Sequence, residues 1–178
     1  MDNLRKLQLI EVEILEEIDK VCRDEGIDYS LYAGSLLGAV RHKGFIPWDD
    51  DLDICMTRSN YNKFIQAWES GEHKGYFLQN KEKETTFTQS FTKIRKDHTA
   101  FIQGEFECGI YHTGIFVDIF PMDRIPNGRL KKISFKLKCL LYQLYTREFL
   151  PEKSNFLVKC IAFFVLSLTP KKIRQKKR

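Results

Sequence analysis

Paired cysteines are missing from this chain. Its five cysteines, Cys22, Cys55, Cys108, Cys139 and Cys160, are odd in number and widely spaced, with no CxxC, so neither a disulfide framework nor a zinc knuckle is indicated. A reducing compartment is the simplest expectation. Glycine and proline, ten and five among 178 residues, are too few for collagen-like sequence. The amino terminus, MDNLRKLQLIEVEILEE, mixes acids with apolar residues from the second position onward, unlike a basic segment followed by an apolar export signal. Near the carboxyl end, FLVKCIAFFVLSL is thirteen residues long and interrupted by Lys159, too short to span a bilayer. No internal repeat and no linker is visible.

With 43% hydrophobic residues the chain can bury a core as one soluble globular domain, which excludes intrinsic disorder. Charge is divided along it. From Arg129 to Arg178 there are fourteen Lys and Arg against two acids, whereas residues 1–128 hold fifteen against twenty-two. This division predicts a carboxylate-bearing site in a domain at 1–128. Residues 129–178 then form a basic helical extension, packed on that domain or on an anionic surface such as a membrane.

Leu7, Ile10, Ile14, Ile18 and Val21 recur at helical spacing, predicting an amphipathic helix that ends at Gly26. Tyr29 to Ala33 reads as a short strand running through Gly34 into a brief helix at Ser35 to Arg41. Leu52, Ile54 and Met56 alternate with Asp51, Asp53 and Cys55, a strand with one apolar face. Ser59 caps a helix whose apolar face is Tyr61, Phe64, Ile65 and Trp68. Phe87 to Arg95 and Gly109 to Phe120 read as strands, the second stopped by Pro121, with Phe91, Lys93 and Arg95 sharing a face of the first. From Leu130 onward the pattern is helical, with a second apolar helix at about Asn155 to Leu168.

Gly34 and Ser35 sit where a strand meets a helix. There a glycine admits a phosphate close to the backbone, and the helix start offers unpaired amides. Alone, such a turn is ordinary chain chemistry. Asp49, Asp50, Asp51 and Asp53, however, crowd four carboxylates into five positions. Asp51 and Asp53 would lie on one side of their strand, about 7 Å apart. Such a group needs a counterion, and hard oxygen ligands suit Mg²⁺, with Mn²⁺ as a substitute, bridging to a diphosphate. A solvated acidic turn is the competing reading of an isolated DDDLD. An EF-hand is not, since its sixth position would be Ile54 and its twelfth Asn60.

Asp118, inside the apolar run Ile115 to Phe120, supplies a third carboxylate that is costly to bury unless paired or metal-bound. Lys93 and Arg95 could clamp phosphate oxygens, and Arg41 and Lys43 offer a second pair beside the acids, against the simpler reading of surface cations. His42, His98 and His112 show no base and nucleophile pairing, and Cys108 with His112 is too little for zinc.

The order of strand, Gly-Ser, helix, Asp-x-Asp strand and later Asp strand resembles nucleotidyltransferase-fold enzymes. Three segments carry a more specific likeness: YAGSLLGAVRHKGFIPWDDDLDICM from Tyr32, FTKIRKDHTAF from Phe91 and FVDIFPMDRIP from Phe116. With these the sequence resembles the LicD family over roughly residues 27–126, and it is similar to fukutin-related protein around the acidic motif. The resemblance implies an α+β fold with a nucleotidyltransferase-like mixed sheet flanked by helices. It also implies Mg²⁺-dependent transfer of a phospho-alcohol, most simply phosphocholine from a CDP-alcohol donor, to a sugar hydroxyl of a glycan such as teichoic acid or lipopolysaccharide. Gly34 and Ser35 match the family's Gly-Ser/Thr turn, Asp51 and Asp53 its metal-binding acids, and Asp118 its later acid. Asp49 also matches an acid of the motif, with a role either in metal binding or in ordering the loop.

The expected mechanism has Asp51, Asp53 and Asp118 holding the metal, with Asp118 or Asp53 accepting the proton of the attacking hydroxyl. Gly34, Ser35, Lys93 and Arg95 position phosphate oxygens. The expected location is cytoplasmic, on the inner face of the membrane where lipid-linked glycans are assembled, with the basic tail touching anionic lipid and no nucleic acid as partner. Family members usually continue beyond the 52 residues that follow Pro126, so a short or truncated member is expected. A nucleotidyltransferase acting on a small molecule and a non-catalytic family member are the competing functions.

Overall fold

The structure is a computed structural model that describes residues 2–84, 87, 89–102 and 112–147, the last five by their helical backbone alone. Helix α1 spans Asn3–Asp24 and ends where Gly26 takes a left-handed conformation, as the apolar spacing predicts. Ile14, Ile18, Val21 and Cys22 are buried along it. Toward its start the buried line passes through Gln8 and Glu11, and Leu7 and Ile10 are only partly covered.

The expected strand before Gly34 shrinks to β1, Ser30–Leu31, and helix α2 already begins at Ala33 and runs to His42. Strand β2, Asp53–Thr57, buries Ile54 and Met56, and Leu52 just before it is buried too, the predicted alternation. Thr57, rather than Ser59, caps helix α3, Arg58–Ser70, by accepting a hydrogen bond from the Asn60 amide. Phe64 and Trp68 form its buried edge.

Strand β3, Tyr76–Gln79, was not legible in the sequence pattern. Strand β4 covers Thr92–Lys96 and β5 covers Phe116–Met122. The part of the predicted strand at 109–111 lies outside the described residues. Strand β5 continues through Pro121 instead of stopping there. Beyond Ile119 the register with β4 has ended while pairing with β2 goes on, so the proline falls where one side of β5 is an edge.

The five strands form one mixed sheet in the order β1-β2-β5-β4-β3, with β2 and β5 parallel and the remaining pairs antiparallel. This is an α+β fold. Helices α1 and α3 pack on one face, where Ile14, Ile18, Phe64 and Trp68 meet Ile54, Met56, Ile94, Val117 and Ile119. The alternate residues of β2, β5 and β4 point to the opposite face, where Asp53, Asp118, Lys93 and Arg95 put polar groups.

The chain divides after Asp123. In the second unit, taken by itself, helix α4 spans Arg129–Arg147. The predicted helix at 155–168 and the basic tail lie outside the described residues. Among the described residues no helix is long and apolar enough to cross a membrane.

Candidate active site

Register, more than sequence proximity, assembles the site. Asp53 of β2 pairs with Asp118 of β5, Asp118 pairs with Lys93 of β4, and Lys93 with Gln79 of β3. Because side chains of directly paired residues stand on the same face, these four make one polar row across the sheet, opposite the core. Lys93 Nζ donates to Asp118 Oδ1 at 2.7 Å and lies 3.3 Å from the Phe116 ring centroid. Both members of this ion pair are largely buried. Burial pushes Asp118 above its ordinary pKa, and the ammonium of Lys93 opposes that push.

Arg95 shares the face of Lys93, as expected, but its guanidinium is engaged within the fold. Nε donates to Gln79 Oε1 at 2.6 Å and Nη1 to the Gly114 carbonyl at 2.7 Å, and the residue is 2% exposed. Its place is therefore as a wall of the site, its guanidinium over the Phe116 ring at 4.7 Å from the centroid. Arg41 and Lys43 are both exposed. Seven residues of helix separate Arg41 from Gly34, roughly 10 Å at 1.5 Å per residue, so α2 carries this pair away from its own amino terminus.

That terminus is the second component. Tyr32, the N-cap, makes no side-chain cap, and Ala33 adopts a positive φ of 45° that turns the chain sharply into the helix. Ser35 Oγ accepts the amide of Asp53 at 2.8 Å, while the Tyr32 amide donates to the Asp53 carbonyl at 2.9 Å. The Gly-Ser turn is thus sewn to the first residue of β2, and the Ser35 hydroxyl keeps its own proton to donate. Ser35 also lines a largely apolar cavity of about 240 Å³ with Val12, Leu15, Ala39, Phe45 and Leu52.

The acidic loop is the third. Carboxylate oxygens of Asp49, Asp50 and Asp51 lie within 4.8 Å of one another. Asp49 stands against Gly34: a Cβ there would meet Asp49 Oδ2 at 2.8 Å, so only glycine lets this carboxylate approach the helix start. Asp53 and Asp118 stand outside that tight group, in the strand row beside it. Burial raises Asp51, and Asp49 and Asp50 add to the rise. Asp53 is pushed up to about 7, by burial first and then by Asp51 and Asp118.

Two residues of α1 complete the surroundings. Gln8 Nε2 donates to the Asp49 carbonyl at 2.9 Å, and Glu11, 1% exposed, leaves its Oε2 without a hydrogen-bond partner among the described residues. Crowded carboxylates with a buried orphan acceptor suit a divalent cation, which oxygen ligands would hold and whose charge would relieve the repulsion. Asp51 is common to the tight loop group and to the set expected from the sequence. Gln8 and Glu11 were not recognised as site residues in the sequence, yet stepping back from Val21, Ile18 and Ile14 at helical spacing lands on both. A polar residue on a buried stripe was the available signal.

A family model described as the LicD/FKTN/FKRP nucleotidyltransferase domain matches residues 26–150. The chain is 36% identical over 131 residues to the lipopolysaccharide cholinephosphotransferase LicD of Haemophilus influenzae, covering 70% of this chain and 46% of that protein. It is also 36% identical over 64 residues to uncharacterized proteins of Rickettsia typhi and Rickettsia prowazekii, which is 36% of this chain and 21% and 24% of theirs. The chain therefore spans less than half the length of these relatives. On the extent of the family match, joined to the Gly-Ser turn and the acidic loop that it encloses, the chain belongs to the LicD/FKTN/FKRP nucleotidyltransferase-domain family.

Proposed function

We propose that this chain is a phosphotransferase domain that moves a phospho-alcohol, most simply phosphocholine from CDP-choline, onto a sugar hydroxyl of a cell-surface glycan such as lipopolysaccharide or teichoic acid. The activity of the Haemophilus relative, a lipopolysaccharide cholinephosphotransferase, supports the reaction class. The observation that carries the reading for these residues is the convergence of three features at the start of β2. These are an uncapped helix start at Gly34, the acidic loop, and the row Asp53–Asp118–Lys93.

A divalent cation held here would supply positive charge to offset the charge that develops on the leaving phosphate. Asp51 and Asp53, with Asp118, are the residues assigned to hold it. The amides at Gly34 and the Ser35 hydroxyl bind phosphate oxygens, and Lys93 supplies positive charge beside them. Asp118 already accepts from Lys93, so Asp53 is the carboxylate left to take the proton of the attacking hydroxyl. The work of the chain is positioning and electrostatics, with no covalent intermediate on protein. The basic carboxyl-terminal segment would hold the domain on the anionic inner leaflet, near a lipid-linked acceptor.

The test is CMP release by the full chain from CDP-choline, CDP-ribitol and CDP-glycerol, with glycan acceptor, in Mg²⁺ or EDTA. Metal-dependent CMP from CDP-choline is expected, and Asp51→Asn should abolish it without unfolding the chain. No CMP from any donor with a folded protein would overturn the reading. Pyrophosphate release from a nucleoside triphosphate would replace it with nucleotidyl transfer.

A further inference from the structure

Glu11 belongs to helix α1, before the first residue of the family match, and no expected role covers it. The residue is 1% exposed, and a carboxylate so placed is among the costliest groups to bury. Its neighbours on the same buried line are Ile14 and Ile18, so packing alone would favour an aliphatic residue. Oε2 finds no hydrogen-bond partner among the described residues. Gln8, one turn earlier on the same helix face, reaches the Asp49 carbonyl, which sets this face against the acidic loop. The charges that bear most on Glu11 are those of Asp51, Asp50, Asp49 and Asp118, all negative. A buried acceptor with no partner among the described residues, on the helix face that Gln8 ties to the acidic loop, marks a place for an ion or a water held by one.

We propose that Glu11 is a positioning residue of the divalent-cation site, accepting hydrogen bonds from water in the cation's coordination shell and so fixing the cation over the Asp49–Asp53 loop. The inference rests on the cation assigned above and extends its site to α1. Glu11 is not one of the carboxylates within 4.8 Å of each other, which suits an outer position. Mg²⁺ keeps several of its waters when protein-bound, so acceptors for those waters are part of such a site. Gln8 then has a linked task, tying the loop backbone to the helix that presents Glu11.

The experiment is titration of Mn²⁺ into the full chain by calorimetry, with thermal unfolding in EDTA alongside, for the wild type, Glu11→Gln, Glu11→Leu and Asp51→Asn. Loss of an outer-shell partner is expected to weaken Mn²⁺ binding roughly 10–100-fold in both Glu11 variants. In EDTA the same variants should melt higher than the wild type, because the fold no longer has to bury a carboxyl that is ionised in the unfolded chain. A residue that only packs or donates a hydrogen bond would not produce this pair of opposite effects. Unchanged Mn²⁺ affinity in Glu11→Gln, or in Glu11→Leu where the first does not fold, overturns the inference. If Asp51→Asn then still loses Mn²⁺, the cation reading stands without Glu11. A wild type that binds no Mn²⁺ overturns both.

Discussion

Lys93 on β4 and Asp118 on β5 are register partners whose side chains close a 2.7 Å ion pair within the sheet. The pair ties the strand that carries the positive charge of the site to the strand that carries Asp118. Asp53, the next residue in the same row, gains a cationic neighbour through it. Three strands distant in sequence thereby share one electrostatic unit.

Replacing Lys93 by Met should be costly, since it keeps the stem and leaves Asp118 buried beside Asp53 with its counter-charge removed. Breaking one partner of a buried pair typically costs about 3–5 kcal/mol. Urea unfolding at neutral pH should show a loss of that order. The loss should shrink in an Asp118→Asn background, where no charge is left uncompensated. Equal losses in the two backgrounds would mean that Lys93 matters through contacts other than the Asp118 ion pair.

Ser35→Ala removes the acceptor of the Asp53 amide while leaving the helix intact. An amide left without its partner costs about 1–3 kcal/mol when buried, and here it is the first amide of β2. The expected outcome is a stability loss in that range and a fall in CMP release, both largely restored by Ser35→Thr. A variant that loses activity at unchanged stability would instead place the hydroxyl wholly on the substrate.

Much of this site was readable in advance because local chemistry wrote it. The alternation of Leu52, Ile54 and Met56 with acids fixed which side of β2 faces the core, and Gly34-Ser35 marked the strand-to-helix turn. What single-residue spacing does not encode is register between strands. That Asp118 would oppose both Asp53 and Lys93, and that β3 would bring Gln79 to Arg95, depends on pairings 16 to 65 residues apart. Arg95 shows the consequence: a cation on the expected face is spent on Gln79 and the Gly114 carbonyl. The short β3 was obscured for another reason, since four residues are too few for a period to declare itself.

Gly38 is a residue whose role only the packing reveals. A Cβ built there would lie 2.6 Å from the Gly44 carbonyl oxygen and 2.8 Å from the Ile46 amide nitrogen, both backbone atoms that cannot swing aside. Gly38→Ala should therefore push the loop at 44–46 off α2, and with it the acidic residues that follow. Overpacking of this kind costs about 1–3 kcal/mol. The check is thermal unfolding together with Mn²⁺ affinity, both of which should fall. Gly44→Ala, where nothing lies within 4 Å, serves as the silent control.

Stability of the cation-free chain should fall as pH rises through the neutral range, the reverse of the usual acid-side behaviour of paired carboxylates. Glu11 is pushed up to about 9 and Asp53 to about 7, in each case by burial first and by neighbouring aspartates after. In the unfolded chain these groups ionise near their ordinary values of 4.5 and 3.8. Between the unfolded and folded values the native state holds more protons than the unfolded state, so each added pH unit favours unfolding. The contribution is fully present below the unfolded values. It is lost through about pH 7 for Asp53 and about pH 9 for Glu11. Melting temperatures in EDTA at constant ionic strength should therefore decline from about pH 5 to about pH 9. Glu11→Gln should remove the upper part of the decline. Saturating Mg²⁺ should flatten the profile, because a cation favours the ionised carboxylates that the bare site resists. A profile in EDTA that is flat or rises over this range would show that the acidic loop and Glu11 are not held together as the fold places them.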